Sequence, residues 1–289
     1  MILRGCGTAL ATPFRDGKVD FEAYGNLVRR QVEAGIDFLV PLGSTAETPC
    51  LEDDEKVELL RMTRELCPDK PVVVGVGTNS PEATIRNIRL LEPLGPDAYL
   101  VVVPYYNKPT QEGIFRYFKH IAEATDKDII VYNVPGRTGT NMKAETTLRL
   151  ASIPNIIAVK EASGDLAQIK TVIDGKPEGF TVLSGNDDQT MQIIKDGGDG
   201  VISVVSNIAP ALMEGMVSAA LEGDFLKAEA LDRKLVPLHE GCFIESNPIP
   251  VKAGLSLLGL CTPEMRLPLT EAVPSTFDAM KRILEDLGI

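Results

Sequence analysis

YLVVVP (99–104) is a continuous apolar, β-branched run, too short for a helix and closed by a proline. Such a run reads as a strand buried on both faces, the kind that occupies a parallel sheet. Seven more of the same character flank it: GTALAT (7–12), FLVPLG (38–43), VVVGVG (72–77), DIIVY (128–132), NIIAVK (155–160), TVLSGN (181–186) and GVISVVSN (200–207). Their starts are 26 to 34 residues apart until the last step, which is 19. Each of the longer gaps holds a helical pattern, at 21–34, 53–67, 81–94, 111–125, 143–151 and 165–173, with Asp or Ser N-cap signals and Gly or Pro stops.

Eight buried strands alternating with helices predict an α/β protein, a (β/α)8 TIM barrel. A doubly wound sheet would want a glycine-rich phosphate turn after an early strand, and Gly75-Val-Gly77 is only a fragment of one. About eighty residues follow the eighth strand, with helical periodicity at 209–221, 225–239, 251–258 and 275–287. One of these completes the barrel. The expected organisation is therefore a barrel over 1–223 and a C-terminal helical appendage over 224–289, with no Pro/Ser-rich linker between them.

Composition narrows the function. Of 289 residues, 29 are Lys or Arg and 41 are Asp or Glu, a net charge of −12, so nucleic acid and anionic membrane are poor partners. Only two histidines are present, His120 and His239, both expected on polar helical stretches, too few for a usual zinc or iron site. The five cysteines are odd in number and show no paired spacing, which favours reduced thiols and a cytoplasmic protein. No signal peptide or membrane-spanning segment is expected.

Barrel enzymes carry their chemistry at the carboxyl ends of the strands. Lys160 ends the run Ile156-Ile157-Ala158-Val159, where burial disfavours the ammonium form and leaves an amine able to attack a carbonyl. The alternative is a structural lysine paired with Glu161 or another carboxylate; Lys252, beyond the strands, reads more readily as such a pair. Carbon–carbon bond formation needs an electron sink, and in a histidine-poor chain an iminium is favoured over a metal. Proton transfer then falls to tyrosine, and Tyr105, Tyr106 and Tyr132 all lie at strand ends. Ser44 and Thr45 follow a glycine and could cradle a carboxylate or simply cap a helix. Arg137, after Pro135-Gly136, could clamp a carboxylate or face solvent.

The ordered motifs GTALATPF (7–14), GSTAE (43–47), PYYNKPTQEG (104–113), YNVPGRT (132–138), VKEA (159–162), GVIS (200–203) and NPIPVK (247–252) span nearly the whole chain. With them the sequence resembles the dihydrodipicolinate synthases of the N-acetylneuraminate lyase superfamily. The resemblance implies condensation of pyruvate with L-aspartate 4-semialdehyde in the diaminopimelate route to lysine, with no cofactor and no metal. It makes Lys160 the Schiff-base lysine, Tyr132 the proton donor and acceptor, and Ser44 and Tyr106 the rest of a hydroxyl relay. Thr45 and Ile202 become pyruvate-binding positions, Gly185 borders that pocket, and Arg137 receives the semialdehyde carboxylate. It further implies a homo-oligomer, a tetramer built as a dimer of dimers, with Tyr106 supplied across a subunit interface. Two positions depart from the family's Gly-Thr-Thr-Gly-Glu: Ser44 replaces threonine, and Ala46 stands where a glycine could supply an unusual φ. Serine at this position is shared with sialic-acid lyases, so a pyruvate-releasing aldolase acting on a sugar acid is the alternative. A non-catalytic binding barrel is a third.

Overall fold

A computed structural model describes residues 2–289. Eight parallel strands form one sheet: β1 (Gly5–Ala9), β2 (Phe38–Val40), β3 (Val73–Gly75), β4 (Ala98–Val102), β5 (Asp128–Asn133), β6 (Ile156–Glu161), β7 (Thr181–Ser184) and β8 (Gly200–Ser203). Their order is β2-β1-β8-β7-β6-β5-β4-β3. The ends of that order meet through a bridge between Leu39 and Val72 and a bond from the Gly75 amide to the Pro41 carbonyl, 3.0 Å, so the sheet closes on itself. Closure is tight at that seam. A Cβ placed on Gly75 would lie 1.9 Å from the Leu42 carbonyl oxygen, so only glycine lets β3 approach β2 here.

The helices between strands are α1 (Phe21–Glu33), α2 (Asp53–Leu66), α3 (Pro81–Leu91), α4 (Gln111–Ala122), α5 (Ala144–Leu150), α6 (Leu166–Gly175), α7 (Thr190–Lys195) and α8 (Pro210–Leu221). Asp20, Ser80, Thr110 and Asp165 each accept a backbone N–H in the first turn of α1, α3, α4 and α6, which sets where those helices begin. Alternate strand residues then separate into two cores. Phe38, Val40, Val73, Ile130, Leu183 and Ile202 fill the barrel interior, whereas Leu39, Val74, Val101, Val131, Val159 and Val182 pack outward under the helices.

Several features differ from the sequence pattern. The eighth strand stops at Ser203, and residues 204–207 of the apolar run turn instead into a 3-10 coil, because the Asp187 carboxylate takes the Val204 and Val205 amides at 2.9 and 3.2 Å. The 19-residue step before it still contains a helix, α7, of only six residues. A small hairpin, Phe14–Arg15 with Lys18–Val19, had a signal in Asp16-Gly17, whose positive φ angles of 53° and 78° suit a two-residue hairpin turn. His239 is also buried, not on a polar face, and its Nε2 has no partner; His120 pairs with Glu82 at 2.8 Å on the surface.

Beyond residue 224 lie α9 (Phe225–Gly241), α10 (Ile249–Leu257) and α11 (Pro274–Leu287). α9 packs on α8, and α11 covers both α9 and α10. The firmest tie back to the barrel is ionic. Lys252 of α10 is fully buried and donates from Nζ to Glu47 Oε1 at 2.8 Å and to the Glu264 carbonyl at 2.6 Å. The Phe14 ring lies beneath this ammonium at 4.0 Å and beneath the Arg266 guanidinium at 4.5 Å. Lys252 is thus the structural lysine of the pair, as its position suggested. Cutting it to Lys252→Ala would strand a buried carboxylate, and denaturant unfolding should register a loss of about 3–5 kcal/mol.

Candidate active site

Lys160 and Tyr132 stand opposite one another on β6 and β5, so their side chains enter the barrel side by side. The Lys160 Nζ lies 4.4 Å from the Tyr132 ring centroid. Glu161, one residue on, points to the other face of the sheet. There its carboxylate accepts from Asn133 Nδ2 at 3.0 Å and from the Ser163 amide at 2.8 Å, and burial raises its pKa. A pairing of Lys160 with Glu161 is excluded by that alternation. Among the described residues no carboxylate forms an ion pair with Lys160.

The consequence is electrostatic. Lys160 is 5% exposed, and burial, with the Arg137 charge adding and the Asp187 charge opposing, lowers its pKa to about 8. Burial likewise raises the Tyr132 phenol to about 12, so at neutral pH it holds its proton. Room for the lysine stem is made by an absent side chain: a Cβ on Gly185 would sit 3.1 Å from Lys160 Cε and 2.7 Å from the Ala162 methyl.

These groups face a small cavity, bordered also by Ser44, Thr45, Arg137, Gly185, Val204 and Asn247, which opens into a wider cleft past Tyr105. Ser44 and Thr45 lie in a 3-10 turn closed by the Ala46 amide on the Gly43 carbonyl at 3.1 Å. Ala46 has no positive φ. The left-handed residue is Glu47, at φ 55° and ψ 34°, and its carboxylate is held by Lys252 and by the Arg266 amide at 3.1 Å. The turn therefore needs no glycine at position 46.

Six of the eight sequence-predicted residues converge on the cavity: Lys160, Tyr132, Ser44, Thr45, Arg137 and Gly185. Ile202 is wholly buried in the interior cluster that also contains Tyr132. Tyr106 does not line the cavity; it is 88% exposed on left-handed backbone at φ 73°. Asn247 had no assigned role, although its motif was legible. Its Nδ2 donates to Thr45 Oγ1 at 2.9 Å, and its carbonyl accepts from Arg137 at 3.1 Å, so one residue of the C-terminal segment steadies both. No group of three or more His, Cys, Asp or Glu side chains able to hold a metal occurs among the described residues.

Residues 2–287 match the model of the dihydrodipicolinate synthetase family. A Thermotoga neapolitana protein named 4-hydroxy-tetrahydrodipicolinate synthase is 48% identical over 100% of both chains. Among solved structures, dihydrodipicolinate synthase from Thermotoga maritima superposes with a TM-score of 0.98 at 45% identity, covering 100% of this chain and 99% of its own. The chloride-inhibited dihydrodipicolinate synthase from Acinetobacter baumannii, complexed with pyruvate, gives 0.97 at 39%, with 100% of each chain covered.

Only a neutral amine adds to a carbonyl, so any such reaction of Lys160 has a pH dependence of definite sign. Below about pH 8 the Lys160 ammonium is unreactive; above it the amine is free. Borohydride trapping of a 2-keto acid on Lys160 should accelerate with pH along a limb centred near 8 and then level, read by intact-mass spectrometry of timed samples.

Proposed function

The chain belongs to the dihydrodipicolinate synthetase family, and from that membership we propose that it acts as a 4-hydroxy-tetrahydrodipicolinate synthase, joining pyruvate to L-aspartate 4-semialdehyde. The observation that carries this reading is a buried lysine amine, free of any carboxylate, beside a buried tyrosine at the mouth of a barrel. Full-length relatives carry the synthase name, which favours this reaction over cleavage of a sugar acid.

In the proposed sequence the Lys160 amine attacks the keto carbon of pyruvate. A carbon–nitrogen bond forms, water leaves, and a protonated imine remains on the lysine. Loss of a methyl proton gives the enamine, whose carbon attacks the aldehyde of the second substrate. Tyr132, protonated at neutral pH, delivers a proton to the departing oxygen and recovers one through the hydroxyls of Ser44 and Tyr106. Thr45 and the turn around it receive the pyruvate carboxylate above the apolar floor made by Ile202, and Gly185 leaves room for the adduct. Arg137, exposed at the mouth with its guanidinium anchored on Asn247, receives the semialdehyde carboxylate. This local positive charge lets an acidic protein admit anionic metabolites.

Tyr106 is the relay member that one chain leaves outside its own cavity, and its exposure supports supply from a second copy. The reading therefore includes a homo-oligomer, a dimer of dimers in its full form. It also places the enzyme in the cytoplasm, in keeping with five free cysteines, three of them buried. Among the described residues no helix is long and apolar enough to cross a membrane.

Incubation with pyruvate and borohydride should add one reduced pyruvate mass, mapped by peptide sequencing to Lys160; an unmodified lysine would sink the proposal. Arg137→Ala should still trap pyruvate on Lys160, with the limb moved to higher pH, while lowering kcat/KM for the semialdehyde at least tenfold, because the second substrate's carboxylate uses the guanidinium. Tyr132→Phe should trap pyruvate yet lose about 10²-fold or more in turnover, the usual size of a general acid–base contribution.

A further inference from the structure

Asp187 is a buried carboxylate beside the cavity that the reaction sequence leaves unused. It follows Gly185 and Asn186 at the carboxyl end of β7 and is 1% exposed. Its Oδ2 accepts the amides of Val204 and Val205, just past the end of β8, and Oδ1 is buried with no donor. The residues either side of this clamp, Asn186 and Val204, line the same cavity as Lys160. Gly185, two residues back, approaches the lysine so closely that a Cβ there would lie 3.1 Å from its Cε. A carboxylate with an unshared oxygen is thus held two residues from the glycine against which the lysine stem rests.

We infer that Asp187 is a positioning residue that acts through Lys160, as a standing negative charge that favours the protonated imine over the neutral one. This rests on the Schiff-base reading above. A carboxylate in contact with the amine would tie it up as an ammonium salt; one held back in the wall leaves it free to attack. Once the imine has formed, the same carboxylate stabilises its protonated form across a medium of low dielectric. The charged groups that bear on Lys160 are Asp187, which favours its protonation, and Arg137, which opposes it; the Tyr132 ring lies against the amine, and Glu161 faces away behind the strand. The Asp187 charge also opposes ionisation of the buried thiols of Cys6 and Cys242, secondary there to burial itself.

The test is Asp187→Asn, which keeps an oxygen for the two amides and removes the charge. Pyruvate trapping on Lys160 is followed against pH in wild type and variant. The ascending limb should move to lower pH by about half a unit or more, since the ammonium loses its supporting anion. Turnover with both substrates should fall at least tenfold, since the imine loses it too. Asp187→Glu, which keeps the charge, should hold the limb near its wild-type position. If Asp187→Asn does not accumulate as folded protein, Asp187→Ser replaces it, because either removes the charge and the limb is read the same way. A limb that stays in place while turnover falls would make Asp187 only a clamp on the β8 turn and overturn the inference. A limb displaced upward would overturn it as well. Absence of any pyruvate adduct in the wild type would instead refute the Schiff-base reading, so the two failures are distinguishable.

Discussion

An amine taken out of water without a counter-ion is the condition on which the rest of this site depends. Burial disfavours the charged form of any lysine, and most buried lysines recover the loss by pairing with a carboxylate. Lys252 does so in part, against Glu47, though burial still lowers its pKa. Lys160 does not, and the difference comes from strand alternation: its neighbour Glu161 is carried to the opposite face, where amide donors occupy it. The chain therefore contains two buried lysines with opposite uses. One gives up its reactivity to an ion pair and gains a structural role. The other keeps its lone pair available because no carboxylate touches it.

The barrel was legible because its signal is periodic. Eight apolar runs with helical spacers need no tertiary information to be counted, and the N-cap residues that begin the helices are local. Departures arose where a long-range contact overrides a local pattern. Residues 204–207 look like strand because they are apolar, but a carboxylate 17 residues earlier bends them into a turn. His239 falls on a helix with Lys234 and Glu240 near it in sequence, yet its side chain is covered in three dimensions.

The site was legible to a similar depth and for a similar reason. Lys160, Tyr132, Ser44, Thr45, Arg137 and Gly185 lie at or just beyond strand ends, so a rule about where barrels do chemistry finds them. Asn247 and Asp187 escape that rule. Asn247 comes from the segment after the barrel and matters through what it bonds to, Thr45 and Arg137. Asp187 lies just past a strand end, and its carboxylate is engaged by the Val204 and Val205 amides. No pattern of neighbours in the chain announces either contact. Likewise, Ala46 in place of glycine looked like a strain on the loop, and only the backbone shows that the left-handed residue is the next one, Glu47.

That left-handed turn reaches further in time than in space. Glu47 lies in the first sixth of the chain, and the groups that hold its carboxylate, Lys252 and the Arg266 amide, lie in the last sixth. Thr45 and Arg137 wait in the same way for Asn247. A chain emerging from the ribosome can pair all eight strands and still lack the bonds that set the reactive end of the barrel. Until residues 247–266 are out, Lys160 occupies a barrel in which the turn carrying Ser44 and Thr45 is not yet secured.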